Sequence, residues 1–204
     1  MISKEALNSH VSILERIKQT TSGQHRRVEK LFNILDPQLT ISQYNVWLES
    51  LYGYYVPFER AIEPWAEQLA IDWQQRRKAP LLKKDLEYLG VTPERIAVLP
   101  HCSQIPEFKD IASVIGAVYV FEGATLGGRF IANHLANKLN LDSNSGASFF
   151  LPYGSDPKPQ WQFFQNRLLE IADSVGEEDS IIASAGAVFA SFEAWLAKSC
   201  HVSK

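Results

Sequence analysis

The sequence predicts an all-α, single-domain protein, and three observations carry that expectation. Apolar residues recur at steps of three and four along most of the 204 residues, the spacing of helices that bury one face. Alternating apolar runs bounded by hairpin turns, the mark of strands, are missing. Turn residues gather in two long segments, "LGVTPERIAVLPHCSQIP" and "DSNSGASFFLPYGSDPKPQ", as expected of helices joined by loops. The length suits one domain, residues 1–204, with a sizeable core. We expect about seven or eight helices packed as a bundle.

Taken in order, the first element is the amphipathic, charged stretch "MISKEALNSHVSILERIK", followed by "KQTTSGQHRRVEKLF". Next, Ile41, Tyr44, Leu48, Leu51, Tyr55, Phe58, Ile62 and Trp65 form a buried stripe along one long helix. Pro57 and Pro64 should kink or interrupt it, since proline lacks the N–H that a helix interior needs. The apolar run "IASVIGAVYV" leads into "FEGATLGGRF". Trp161, Phe164, Leu168 and Ile171 mark a later helix. Ile181, Ala185, Val188, Phe189, Phe192, Trp195 and Leu196 mark the last.

Composition excludes several classes. Hydrophobic residues make up 46% and charged residues 21% of the chain, a globular balance. A net charge of -3 without a polybasic run speaks against nucleic-acid binding and against attraction to a membrane surface. The N-terminus lacks the apolar core of a signal peptide, the C-terminus ends without an anchor, and no stretch reads as a bilayer span. The expectation is a soluble, cytoplasmic protein with no membrane partner. Two cysteines, Cys102 and Cys200, are too few for a disulfide scaffold. Each adjoins a histidine, His101 and His201, but neither pair has the spacing of a zinc site.

"FEGATLGGRF" carries three glycines, Gly123, Gly127 and Gly128. Their spacing fits neither a P-loop nor a dinucleotide-binding fingerprint. On a helix, Gly123 and Gly127 share a face one turn apart. Such spacing speaks first for close helix–helix packing. It also suits a face on which something large and flat meets bare backbone. A second feature lies in the first helix, where His25 and Glu29 are four residues apart. The carboxylate can hold one ring nitrogen there and leave the other for a metal.

The two stretches together resemble the heme oxygenase family, particularly its soluble bacterial members. One motif is T-x-x-x-H-x-x-x-E, here Thr21, His25 and Glu29. The other is Y-x-x-x-G-x-x-L-G-G, here Tyr119, Gly123, Leu126, Gly127 and Gly128. The resemblance implies a heme held between two helices, with iron bound by His25 and Glu29 orienting that ligand. A kinked helix would cover the distal face, with Gly123 and Gly127 as the catalytic wall and Gly128 beside them. That wall would direct oxygen to one ring edge, the α-meso position in many members. Lys18 and Tyr119 are implied partners of the heme propionates, and Arg167 is a further candidate. Phe189 and Phe192 are placed either on the heme plane or in the ordinary core.

The implied reaction is oxidative cleavage of heme to biliverdin, carbon monoxide and ferrous iron. It uses O2 and electrons from a separate ferredoxin or reductase, because the chain has no flavin or nicotinamide motif. One position departs from the family. Mammalian-type members carry an aspartate three residues before the paired glycines, and here that position is Ala124. A heme or tetrapyrrole carrier or sensor is therefore the alternative. Glu122 and Arg129 lie nearby, but helical rotation points both away from the glycine face. Other enzyme classes fit less well. A di-iron oxidase needs Glu-x-x-His pairs, and none of His10, His25, His101, His134 or His201 has an acid three residues before it. A thiaminase-like hydrolase needs a pocket cysteine on a helix. A purely structural helical protein leaves the glycine face and the His–Glu pair without a purpose.

Overall fold

The computed structural model describes residues 11–199. Among these residues there are nine α-helices, two 3-10 turns and no strands. The long helices are α1 (Ile13–Leu31), α2 (Ile41–Ile62), α7 (Ile111–Leu139), α8 (Lys158–Val175) and α9 (Glu178–Ser199). The shorter ones are α3 (Ala66–Leu69), α4 (Trp73–Arg76), α5 (Ala79–Tyr88) and α6 (Pro93–Ala97). The count exceeds the expectation because α3, α4 and α6 are single turns, too short for periodicity to register. One of them, α6, lies inside the first segment read as loop. The second such segment holds the 3-10 turn Ser148–Phe150. His10, Cys200 and His201 fall outside the described residues.

Local chemistry sets where the long helices begin. Ser12 caps α1 by accepting from the Glu15 amide at 3.3 Å. Thr40 with Gln43 and Asp110 with Ser113 form reciprocal capping boxes on α2 and α7. Each satisfies amides that the first helical turn leaves without partners.

The two prolines of the second stripe behave differently. Pro64 ends α2 in the 3-10 turn Glu63–Trp65. Pro57 sits inside α2, and the helix continues past it. Its missing N–H frees the Gly53 carbonyl one turn earlier. The amide of Cys102 donates to that carbonyl at 2.8 Å. The loop can come so close because position 53 has no side chain. A Cβ there would lie 2.4 Å from the Pro100 carbonyl oxygen.

The helix α7 runs through the bundle against α9, with α1 on the other side of α9 and α8 also against α7. The α7–α9 crossing is tight at Gly116, where a Cβ would stand 2.2 Å from the Ile181 carbonyl oxygen. Ser184 Oγ donates to the Ser113 carbonyl at 2.6 Å across the same seam. Gln24 of α1 donates to the Gly186 carbonyl at 2.8 Å. Tyr54, Phe58, Phe121 and Phe192 meet in the core with ring centroids between 4.5 and 6.3 Å. Each such aromatic contributes on the order of 1.5–3 kcal/mol by leaving water.

The expectation that no stretch reaches the dimensions of a bilayer span needs correction. Both α7 and α9 are long and apolar enough by length and composition. Many of their apolar residues face the bundle interior, where Val114, Ile115, Val118, Val188 and Leu196 are buried, while Leu126 and Phe130 of α7 are exposed. A core helix that is hydrophobic nearly all round passes the same test as a span.

Candidate functional site

A cavity of about 510 Å³ opens between α1 and α7. This lies within the roughly 300–1,000 Å³ typical of small-molecule and cofactor sites. The first helix contributes His25, Val28 and Glu29, and its C-cap residue Phe32 adds to them. Residues Gly123 to Gly128 of α7 line the opposing stretch as an unbroken helical segment. Phe149 and Phe150 of the 3-10 turn and Phe189 and Phe192 of α9 complete an aromatic lining.

His25 Nδ1 lies 3.3 Å from Glu29 Oε2. A proton on Nδ1 shared with this carboxylate makes Nε2 the lone-pair nitrogen, the form that binds a metal. The ring meets Phe189 edge-on at 6.0 Å. Both Phe189 and Phe192 are buried core residues that also line the cavity.

The three glycines divide by what a methyl group would meet. At Gly127 an added Cβ meets no atom within 4 Å. At Gly123 it reaches the Trp161 ring at 3.6 Å, an ordinary contact. At Gly128 it would lie 2.0 Å from the Phe150 carbonyl oxygen. Gly128 is thus required by close packing on the 3-10 turn. Gly123 and Gly127 leave helix backbone bare at the cavity without any packing demand for it.

Other anticipated residues lie elsewhere. Lys18 is exposed and off the cavity wall. Tyr119 is half-buried against Trp161 at 5.3 Å. Its phenol is held above its usual pKa by burial and then by the charge of Glu15 on α1. Arg167 uses its guanidinium on the end of α3, donating to the Leu69 and Gln68 carbonyls at 2.7 and 3.1 Å. It therefore serves as a helix C-cap, complementing the exposed carbonyls there. His101 packs beside Tyr52 at 6.1 Å, and Cys102 is a buried free thiol.

The sequence reading missed a buried ionic cluster behind the α7 wall. Glu122 does turn away from the cavity, but it turns into protein. It is 2% exposed and bonds Arg76 and, at 2.7 Å, Lys78 Nζ. Tyr153 Oη donates to the same carboxylate at 3.0 Å. Arg76 also lies over the Tyr153 and Phe163 rings at 5.8 and 5.6 Å. Glu59 accepts from the amides of Lys78 and Ala79 at 2.5 and 2.9 Å, capping α5. Burial, followed by the charge of Glu122, keeps the Tyr153 phenol protonated well above neutral pH. Lys78 is 4% exposed and lines the cavity. A lysine five positions after a tryptophan gave no signal in sequence, because its partner lies 44 residues away.

The described residues form an all-helical bundle with a cofactor-sized slot, a histidine–carboxylate pair on one wall and bare backbone on another. Several solved structures share this fold. A heme oxygenase from Leptospira interrogans superposes with a TM-score of 0.74 at 20% identity, covering 92% of this chain and 100% of that one. One from Neisseria meningitidis, solved with NO and CO bound, gives 0.77 at 20% identity, covering 93% and 92%. Heme oxygenase-1 of the cyanobacterium Synechocystis, in complex with heme, gives 0.66 at 15% identity, covering 92% of each chain.

The sequence comparisons give the family. A heme oxygenase of Xanthomonas campestris is 33% identical over 141 residues, 69% of this chain and 80% of that protein. The family model for heme oxygenase matches residues 11–198. The chain belongs to the heme oxygenase family, and oxidative cleavage of heme is the activity that this membership carries.

Proposed function

We propose that the cavity takes a heme edge-first between α1 and α7, with His25 Nε2 as the iron ligand, and that the chain opens this heme to biliverdin, carbon monoxide and ferrous iron. The observation that carries the reading is the pair at 3.3 Å between His25 Nδ1 and Glu29, on a cavity whose other wall is bare at Gly127. The residues fit the group: aromatic rings suit a porphyrin plane, and a carboxylate-held imidazole suits its iron. When bound, the heme supplies the redox and oxygen chemistry. The protein's part is to orient it, to hold Nδ1–H on Glu29, and to leave Gly123 and Gly127 low enough for O2 to fit beneath α7. Lys18 and Tyr119 serve the propionate edge in this reading. Electrons come from a separate ferredoxin or reductase. The apolar helices belong to the bundle core, and the protein acts in the cytoplasm.

The test is incubation of the purified protein with hemin and an electron donor. The Soret band falls and biliverdin absorption rises. A stable Soret band under turnover conditions refutes the oxygenase reading in favour of a carrier or sensor. Replacement of His25 by Ala removes the residue that would hold the iron, and turnover with it, while helicity survives. Unchanged heme spectra in H25A refute the ligand assignment.

A further inference from the structure

We propose that Asp85 is a positioning residue of the cavity: from α5 it clamps the turn that carries Phe149 and Phe150, and so fixes the wall against which a planar occupant seats its edge. The clamp rests on geometry alone. The occupant's identity rests on the heme reading.

The aromatic lining is held in two different ways. Phe189 and Phe192 project from α9, a regular helix of 22 residues. Phe149 and Phe150 belong to the three-residue 3-10 turn Ser148–Phe150, in the stretch between α7 and α8. So short a 3-10 turn has poor internal hydrogen bonding, and its position depends on what holds it from outside. Its N-cap residue is Ala147, whose methyl group cannot cap. Asp85 supplies that cap from 63 residues away. Its Oδ1 accepts from the Ser148 amide at 2.9 Å and from the Ser148 hydroxyl at 2.7 Å, and its Oδ2 accepts from the Phe149 amide at 2.8 Å.

Asp85 is 0% exposed. A carboxylate in such a place is costly unless it is hydrogen-bonded. A turn that slides away takes all three donors with it, so the wall has one favoured position. Two further contacts align the same turn. Tyr44 Oη donates to the Gly146 carbonyl at 2.8 Å, and the Phe150 carbonyl rests against the bare backbone of Gly128. Of the three, the Asp85 clamp is the one that bonds the main chain of a wall residue. The Phe149 ring meets Tyr55 edge-on at 5.2 Å and Phe150 at 4.9 Å. A shift of the turn is therefore passed to the cavity-lining rings, and through the Phe150 carbonyl to the gap between them and the glycine face of α7.

The experiment compares D85N and S148A with the wild-type protein. Asparagine keeps the shape but turns an NH2 group toward a set of donors. S148A removes one donor of three and leaves both amides. In the heme-free proteins, hydrogen exchange at the Ser148 and Phe149 amides is faster by roughly tenfold or more in D85N, while the α7 and α9 amides stay protected. Unchanged protection at the two turn amides overturns the clamp. In the heme-loaded proteins, the isomer composition of the released biliverdin shifts in D85N, and shifts less but in the same direction in S148A. Leu69 is buried in α3 and off the cavity lining, so L69A lowers stability without changing that composition. An equal shift in L69A, or none in D85N and S148A, reduces Asp85 to a general stabiliser and overturns the proposal. If D85N does not fold, S148A carries both readouts. Because exchange needs no heme, a wild-type protein that fails to bind or open heme counts against the oxygenase reading, and the exchange result still decides the clamp.

Discussion

Adjacent glycines on one helix should respond to the same substitution in opposite ways. At Gly127 an alanine methyl meets nothing within 4 Å. Within the α7 interior the exchange then gains about 1 kcal/mol of helix propensity, which raises Tm by roughly 2–4 °C in a domain of this size. At Gly128 the same methyl lies 2.0 Å from the Phe150 carbonyl oxygen, where ordinary contact begins at 3.4 Å. The obstacle is backbone, so no rotamer change relieves it. Overpacking costs about 1–3 kcal/mol, and a fixed backbone neighbour puts this case at or beyond the upper end. After the propensity gain, G128A is destabilised by about 2 kcal/mol, a Tm lowered by roughly 4–8 °C. Thermal unfolding of the heme-free proteins by circular dichroism measures both, and hemin titration adds the functional contrast. G127A should be the more stable protein and the poorer heme binder or catalyst. Equal shifts of the same sign, or a G128A at least as stable as wild type, refute the division of the glycines into cavity and packing roles.

Four further outcomes follow from the charged residues and the tight crossing. E122Q leaves Arg76 and Lys78 without their shared carboxylate, and urea unfolding should show a loss of roughly 3–5 kcal/mol. R16A breaks an exposed pair with Glu178 and Asp179 and should cost less than about 1 kcal/mol in the same assay. Asp85 accepts from Ser148 and Phe149, and burial holds its carboxyl above the ordinary 3.8. An acid whose folded pKa is raised contributes stability that is full below the unfolded value and lost as pH rises through the folded one. The stability difference between wild type and D85N should therefore shrink as pH rises from about 4 through that raised value and then level off. A difference that grows over the same range contradicts the assignment. G116A should destabilise as G128A does, because its methyl meets the Ile181 backbone at 2.2 Å.

The helices α2, α8 and α9 were legible because each buries a stripe at helical spacing. His25 and Glu29 were legible because their contact is local, one turn apart on α1. Gly123 and Gly127 could be placed on a helix, but their separation from Gly128 could not. It depends on the Phe150 carbonyl, which a loop of irregular backbone brings to the helix. The ionic cluster was illegible for the same reason. Glu59, Arg76, Lys78, Glu122 and Tyr153 come from four separate stretches of the chain, and a charged residue is read as exposed until its distant partner is known. Helical rotation correctly turned Glu122 away from the glycine face. It could not say that α4 and the segment leading into α5 would be waiting there.

The proline within α2 has a consequence beyond the course of the helix. Pro57 leaves the Gly53 carbonyl as an outward-facing acceptor, and the Cys102 amide takes it at 2.8 Å. A loop amide that would otherwise exchange its hydrogen with solvent quickly is protected by a helix remote in sequence. Its exchange rate therefore reports on two segments at once, slowing only when α2 is wound and the loop is seated. A single backbone deuteron at Cys102 can act as a gauge of when those two parts of the chain come apart.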